Sequence, residues 1–324
     1  MFSICWIVSA SSLCAPGASS TAPQLLHANR TTPTGTATAT ATAPALVDLA
    51  DYRCDAQVGL KLPLPVCNQS IAPLTQCELT PGGEVVRLPG INNISRPFCR
   101  ITPALGARKV PLVLFFHGAL GSADGVINDT NLVDFARNWS WQGGTSEGFV
   151  LAAPSGACLS WPRTGSKDGY HWDFYHRDLG SSSTNPDVAL ADAIIDAEVQ
   201  RGTVDPSRIF VMGWSNGGFF GQMYAVARSA KRGAATPAGN FVAAASVYTA
   251  ADPFNNLNVN TTPSCQLAPY PDARGARLMI TSNDCDLIAC DGQQAAELQS
   301  KSPDLGFTAP GFDVSQWVGN TTAL

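Results

Sequence analysis

Three apolar runs of strand length, at 112–116, 149–153 and 209–212, constrain this chain more than any other feature. None of them alternates with polar residues. Unbroken apolar runs are what strands need when both faces of their sheet are covered, as in parallel sheets flanked by helices. Each run stops at a residue that breaks structure: the first before His117-Gly118, the second at Pro154, the third at Gly213. Between the second and third, Asn185, Pro186 and Asp187 supply an N-cap, an N1 proline and a first-turn acid. Val188, Ala191, Ile195 and Val199 then share one face of the helix they open. Asp205, Pro206 and Ser207 read as a turn before the third strand. Further strands are expected at 241–248 and 277–281, and a helix near 293–300. Strands separated by helices make the class α/β, a mostly parallel sheet with helices on both faces.

The chain has 324 residues, 45% of them hydrophobic, enough for one domain of about 200–250 residues with extensions. Residues 1–18 read as a signal peptide: 2–10 are apolar and small residues follow, although no basic residue precedes them. Residues 19–50 are a Thr/Ala/Pro-rich linker, 51–100 a cysteine-rich lead-in too small to hold a core alone, and 101–324 the main domain. Charged residues make up 14% and the net charge is −5, so there is no electrostatic footprint for nucleic acid. No apolar run approaches the roughly 18 residues of a membrane helix.

Eight of the ten cysteines lie beyond the leader, an even number that suits disulfides in an exported protein. No CxxC pair or His-x3-His spacing supports a metal site, so neither metal nor organic cofactor is expected. Seven Asn-x-Ser/Thr sequons, at Asn29, Asn68, Asn93, Asn128, Asn138, Asn260 and Asn320, point to a eukaryotic secretory route. The expected protein is secreted and monomeric.

The chemistry concentrates at 208–221, Arg-Ile-Phe-Val-Met-Gly-Trp-Ser-Asn-Gly-Gly-Phe-Phe-Gly. A buried strand runs into a Gly-x-Ser-x-Gly turn, and a helix follows over 217–228 with Phe220, Tyr224 and Ala227 on one face. In that context the turn is a nucleophile elbow and Ser215 the nucleophile. Gly213 and Gly217 are required because a side chain at either would strike the neighbouring strand or helix. An acyl-transfer serine also needs oxyanion donors, a base and an acid. The donors are the amide of Asn216 and one from the loop after the 112–116 strand, Ala119 ahead of Gly118. His117 is expected to hold that loop rather than act as base. The acid belongs after the 277–281 strand, where Asp286 is preferred over Asp284. His171, Trp172, Tyr175 and His176, with Trp214, are candidate substrate contacts.

From 110 to 286 the chain resembles the polyhydroxybutyrate depolymerase and feruloyl esterase group of secreted α/β-hydrolases. The resemblance rests on Pro-Leu-Val-Leu-Phe-Phe-His-Gly, on Asp187-Val188 opening a helix, and above all on Val-Asp-Pro-Ser-Arg-Ile-Phe-Val-Met-Gly-Trp-Ser-Asn-Gly-Gly. It implies an α/β-hydrolase fold and hydrolysis of a carboxylic ester, on feruloylated plant polysaccharide or on a polyester, with acetylxylan a further option. It also implies Ser215 as nucleophile and Asp286 as acid.

One element departs from that pattern. The chain order in this fold is nucleophile, acid, histidine, yet no histidine follows His176. Three explanations are open. The chain is C-terminally truncated, with 312–318 the approach to a final strand and the histidine a few tens of residues beyond; or the base is relocated to His171 or His176; or the protein binds esters or glycans without hydrolysing them.

Overall fold

A computed structural model of the chain describes residues 71–72, 74–88, 96–103, 109–139, 147–158, 170–174, 185–229, 235–248, 276–283 and 312–317. A 3-10 turn at Cys77–Leu79 leads into β1 (Gly83–Arg87), β2 (Pro97–Ile101) and β3 (Val110–Phe116). Two short helices follow, α1 (Ala123–Asp129) and α2 (Leu132–Asn138), and then β4 (Val150–Pro154). After them come β5 (Ala157–Cys158), β6 (Tyr170–His171), α3 (Pro186–Gln200), β7 (Val204–Trp214), α4 (Asn216–Ala227) and β8 (Ala244–Tyr248). The described elements end with β9 (Leu278–Asn283) and β10 (Phe312–Trp317).

Eight strands form one sheet in the order β1-β2-β4-β3-β7-β8-β9-β10, and β5 pairs with β6 in a separate ribbon. Within the sheet β2 runs antiparallel to β1 and β4, while every other adjacent pair is parallel. With the ribbon set aside, the second strand is reversed and the third and fourth have exchanged places. That is the topology of the α/β-hydrolase fold, and the chain has it. β7, which delivers Ser215, lies in the middle of the sheet between β3 and β8.

The unbroken apolar runs behave as their pattern requires. Leu112, Leu114 and Phe116 of β3 join Val150 and Ala152 of β4 in one core with Ile194 of α3 and Phe220 of α4. The alternate residues Val113, Phe115, Leu151 and Ala153 are buried too. Because successive side chains of a strand point to opposite faces, both faces at the centre of the sheet are covered. At about 25 cal/mol per Å² of apolar surface, each such Leu, Val or Phe contributes roughly 1.5–3 kcal/mol. Asn185 caps α3 as expected, its Oδ1 accepting from the amides of Asp187 (3.0 Å) and Val188 (3.1 Å).

Part of the cysteine-rich lead-in enters the sheet, with β1 and β2 at its edge and a Cys77–Cys99 disulfide tying the turn before β1 to β2. Three expectations change. Asp205-Pro206-Ser207 does not precede the nucleophile strand but lies inside β7. Between the pairs Val110–Val204 and Leu112–Ile209 the strand β7 advances five residues while β3 advances two. Asp205 Oδ1 takes up the Ser207 amide (2.9 Å) and hydroxyl (2.7 Å) in that bulge, so the local turn forms without ending the strand. α4 has no single apolar face, since every one of its residues is buried. Finally, 312–317 is not the approach to a strand but a strand itself, β10, paired in parallel with β9 at the edge of the sheet among the described residues. The helix expected near 293–300 lies outside the described residues.

Candidate active site

Ser215 stands at φ 51°, ψ −120°, in the left-handed region that side chains avoid. It is kept there from both sides. Its amide donates to the Tyr248 carbonyl at the end of β8 (3.0 Å), and its carbonyl accepts from Phe219 as α4 begins (2.9 Å). A Cβ on Gly213 would come within 2.3 Å of the Gly217 carbonyl oxygen, and one on Gly217 within 2.1 Å of the Phe116 carbonyl oxygen. Both distances are impossible for real atoms, so the two glycines are obligatory, as the sequence predicts. The strain of about 1–3 kcal/mol at Ser215 is tolerated because strand, turn and helix jointly over-determine the backbone.

The loop after β3 lies directly against this turn. A Cβ on Gly118 would sit 3.5 Å from Ser215 Cβ and 3.3 Å from Trp214 Cδ1. Gly118 to Gly121 close a β-turn, with the Gly121 amide on the Gly118 carbonyl (3.0 Å) and Leu120 at φ 68°. The Leu120 amide is taken by the Tyr170 carbonyl (2.8 Å), whereas the neighbouring Ala119 amide has no acceptor among the described residues. On the other side, the Asn216 amide is the first of α4 and so has no intrahelical acceptor. Two unspent backbone donors, one from each side of Ser215, are what an oxyanion hole requires.

His117 is buried and both ring nitrogens are occupied. The Gly156 amide donates to Nε2 (2.8 Å), so Nδ1 carries the proton and donates to the Gly118 carbonyl (2.7 Å). Burial lowers its pKa to about 4, with Arg96 and His171 adding positive charge nearby, against the opposing bond to Gly118. A neutral imidazole with both nitrogens engaged has no lone pair left for a proton from Ser215. It holds the loop after β3 in place.

The remaining candidates divide. Trp214 is half-buried, its ring 4.7 Å from that of Tyr248. Trp172, expected to meet substrate, is instead fully buried: it packs on Phe116 and His117, and its Nε1 donates to the His117 carbonyl (2.8 Å). A ring with no exposed face cannot stack on a ligand. His171 is buried as well, in the β5–β6 ribbon. Tyr175, His176, Asp284 and Asp286 lie outside the described residues; β9 ends at Asn283, immediately before the expected acid loop.

Several supporting residues had no distinguishing signal in the sequence. Asp187, which reads as a helix-start acid, is fully buried, pairs with the equally buried Arg96 and accepts the Asp173 amide (2.5 Å). Arg96 also donates to the Ser155 carbonyl (3.0 Å) and lies 5.5 Å from the centre of the Trp172 ring. Farther along α3, Asp192 accepts from Tyr224 of α4 (2.8 Å) and from Arg228 just after it (2.9 and 2.7 Å), and Glu198 from Arg100 of β2 (2.8 Å). These acids are set in an apolar helix, and only the partners' positions in space explain them.

No family model and no curated protein sequence matches the chain. Solved structures do resemble it. A bacterial heroin esterase is 18% identical, with 72% of this chain and 75% of that one covered and a TM-score of 0.48. An acetyl xylan esterase from Aspergillus awamori is 16% identical over 67% and 81%, at a TM-score of 0.44. A thermostable esterase is also 16% identical, over 75% of this chain and 56% of its own, at 0.49. The fold assignment itself stands on the strand order and on the elbow.

Proposed function

We propose that the protein is a secreted serine carboxylic-ester hydrolase whose substrates are feruloyl or related esters of plant cell-wall polysaccharide. The observation that carries this reading is the backbone of Ser215: a non-glycine residue held at φ 51° by two obligatory glycines, with the Gly118 turn against it. Strain of this kind persists where function uses it. The substrate class is supported by the resemblance around Ser215, and the Trp214–Tyr248 pair beside the nucleophile offers an aromatic surface to a flat acyl group.

In the reaction Ser215 Oγ would attack the ester carbonyl carbon and give up its proton to a base. The carbonyl electron pair moves onto oxygen, facing the Ala119 and Asn216 amides, and collapse expels the alcohol with that proton. Water then repeats the sequence on the acyl-serine and releases the acid. Of the described residues, His117 is disqualified as base by its two hydrogen bonds. Asp286, in the acid's role, would orient and charge-balance the base.

The test is hydrolysis of methyl ferulate, acetylated xylan and a short hydroxybutyrate oligomer, together with fluorophosphonate labelling located by mass spectrometry. Methyl ferulate should be the preferred substrate and Ser215 the labelled residue, with both signals abolished in Ser215→Ala. Hydrolysis that survives Ser215→Ala would refute the assignment. Absence of both hydrolysis and adduct would leave an ester- or glycan-binding protein.

A further inference from the structure

Ser215 is flanked by the two backbone segments that carry the unspent amides, and these segments come from different strands. The Ala119 donor follows β3 and the Asn216 donor follows β7. Stabilising one oxyanion with both requires their relative position to be held to a fraction of an ångström. A single buried residue outside both segments does this. The Asn216 side chain grips the backbone of Trp172 from both ends: Oδ1 accepts from the Trp172 amide (2.7 Å) and Nδ2 donates to the Trp172 carbonyl (3.2 Å). The indole of that same Trp172 then donates from Nε1 to the His117 carbonyl (2.8 Å).

The circuit closes on itself. The His117 carbonyl oxygen lies where a Cβ on Gly217 would approach it to 2.3 Å, so it already touches the start of α4. Residue 216 is therefore tied to residue 172, residue 172 to residue 117, and residue 117 rests against residue 217. Trp172 is itself immobilised. Its ring packs on Phe116 (5.0 Å), His117 (5.0 Å) and Phe220 (5.8 Å), with the Arg96 guanidinium over it. The next residue is pinned by Asp187 through the Asp173 amide. Every polar atom of the circuit is buried, so a lost bond is not replaced by water without rearrangement.

We propose that Trp172 is the positioning residue of the oxyanion hole, setting the distance between the Ala119 and Asn216 amides through the Asn216 side chain and the His117 carbonyl. This rests on the reading of Ser215 as a nucleophile. Trp172 touches neither substrate nor the reacting atoms, and its contribution is transition-state geometry.

Trp172→Phe tests it, because phenylalanine keeps the packed ring and both backbone bonds to Asn216 but deletes the indole N–H. In the full chain, kcat on a nitrophenyl acyl ester should fall between about tenfold and a hundredfold with KM unchanged, the signature of an interaction made only in the transition state. Amide hydrogen exchange needs no turnover. In the variant it should speed up about tenfold in peptides covering 117–121 and 215–218 and stay as in the wild type in α3 and β4. Unchanged exchange at those two segments overturns the proposal, as does a change in KM alone. Should Trp172→Phe fail to fold, Asn216→Ala opens the circuit at its other bond and must give the same local acceleration, or the proposal fails. A protein with no esterase activity that still shows the local exchange effect would overturn the oxyanion role together with the function, and leave Trp172 only as a mechanical tie between the two segments.

Discussion

Acidification from pH 7 to pH 4 should cost this protein about 3 kcal/mol through His117 alone. In the folded state burial holds this ring neutral, with a pKa of about 4, whereas in the unfolded chain it returns to the ordinary histidine value of 6.5. Between those values the unfolded state binds the extra proton, so stability rises with pH there. The contribution is therefore complete above pH 6.5 and is lost as pH falls toward 4. A gap of about 2.5 units at about 1.36 kcal/mol per unit gives about 3 kcal/mol. Protonation also breaks a specific bond, since Nε2 can no longer accept the Gly156 amide. Arg96 and His171 act in the same direction.

The comparison that isolates this term is His117→Asn, which offers one donor and one acceptor but does not titrate. Urea unfolding of both proteins at half-unit intervals from pH 7 to 4 should show the wild type losing stability faster, the difference curve reaching about 3 kcal/mol. Other groups titrate in this range, but they are common to both proteins and cancel. Parallel curves through that window would refute the argument, whatever the absolute stability of the variant.

Two further outcomes follow from strain and from buried charge. Ser215→Gly should stabilise the protein by about 1 kcal/mol in urea unfolding. Relief of about 1–3 kcal/mol of backbone strain exceeds the roughly 0.4–1 kcal/mol that glycine costs through the unfolded state; Ser215→Ala keeps the φ of 51° and should gain nothing. Asp187→Asn should lose about 3–5 kcal/mol, because Arg96 is left charged and buried without its counterion. A loss under about 1 kcal/mol would show that the Ser155 carbonyl alone satisfies that guanidinium.

Much of the fold was legible because its signals are local. Continuous apolar runs at 112–116 and 209–212, and the Asn185-Pro186 cap, each state their own conformation within a few residues. β1 and β2 were missed for the converse reason. Gly83–Arg87 is a short edge strand with mostly polar or half-exposed residues, and its place in the sheet depends on pairing with Pro97–Ile101, not on its own pattern. Asp205–Ser207 misled because turn chemistry does form there, yet β3 continues to pair on either side of it. At the site, the glycine-bounded turn at Ser215 and the loop role of His117 could be read from motif spacing. Trp172 could not, because an aromatic residue in a polar, aromatic-rich stretch looks the same whether it faces a ligand or the core.

By itself the sequence determined the strand, elbow and helix around Ser215, since glycine spacing and apolar periodicity act through neighbours in the chain. Tertiary structure alone decided which buried groups meet: Arg96 with Asp187, Asp192 with Arg228, and the indole of Trp172 with the carbonyl of His117. Those pairings join residues 36 to 91 positions apart. Their energies come from desolvated partners brought together by the packing of the sheet and helices, and no local pattern encodes a partner that distant.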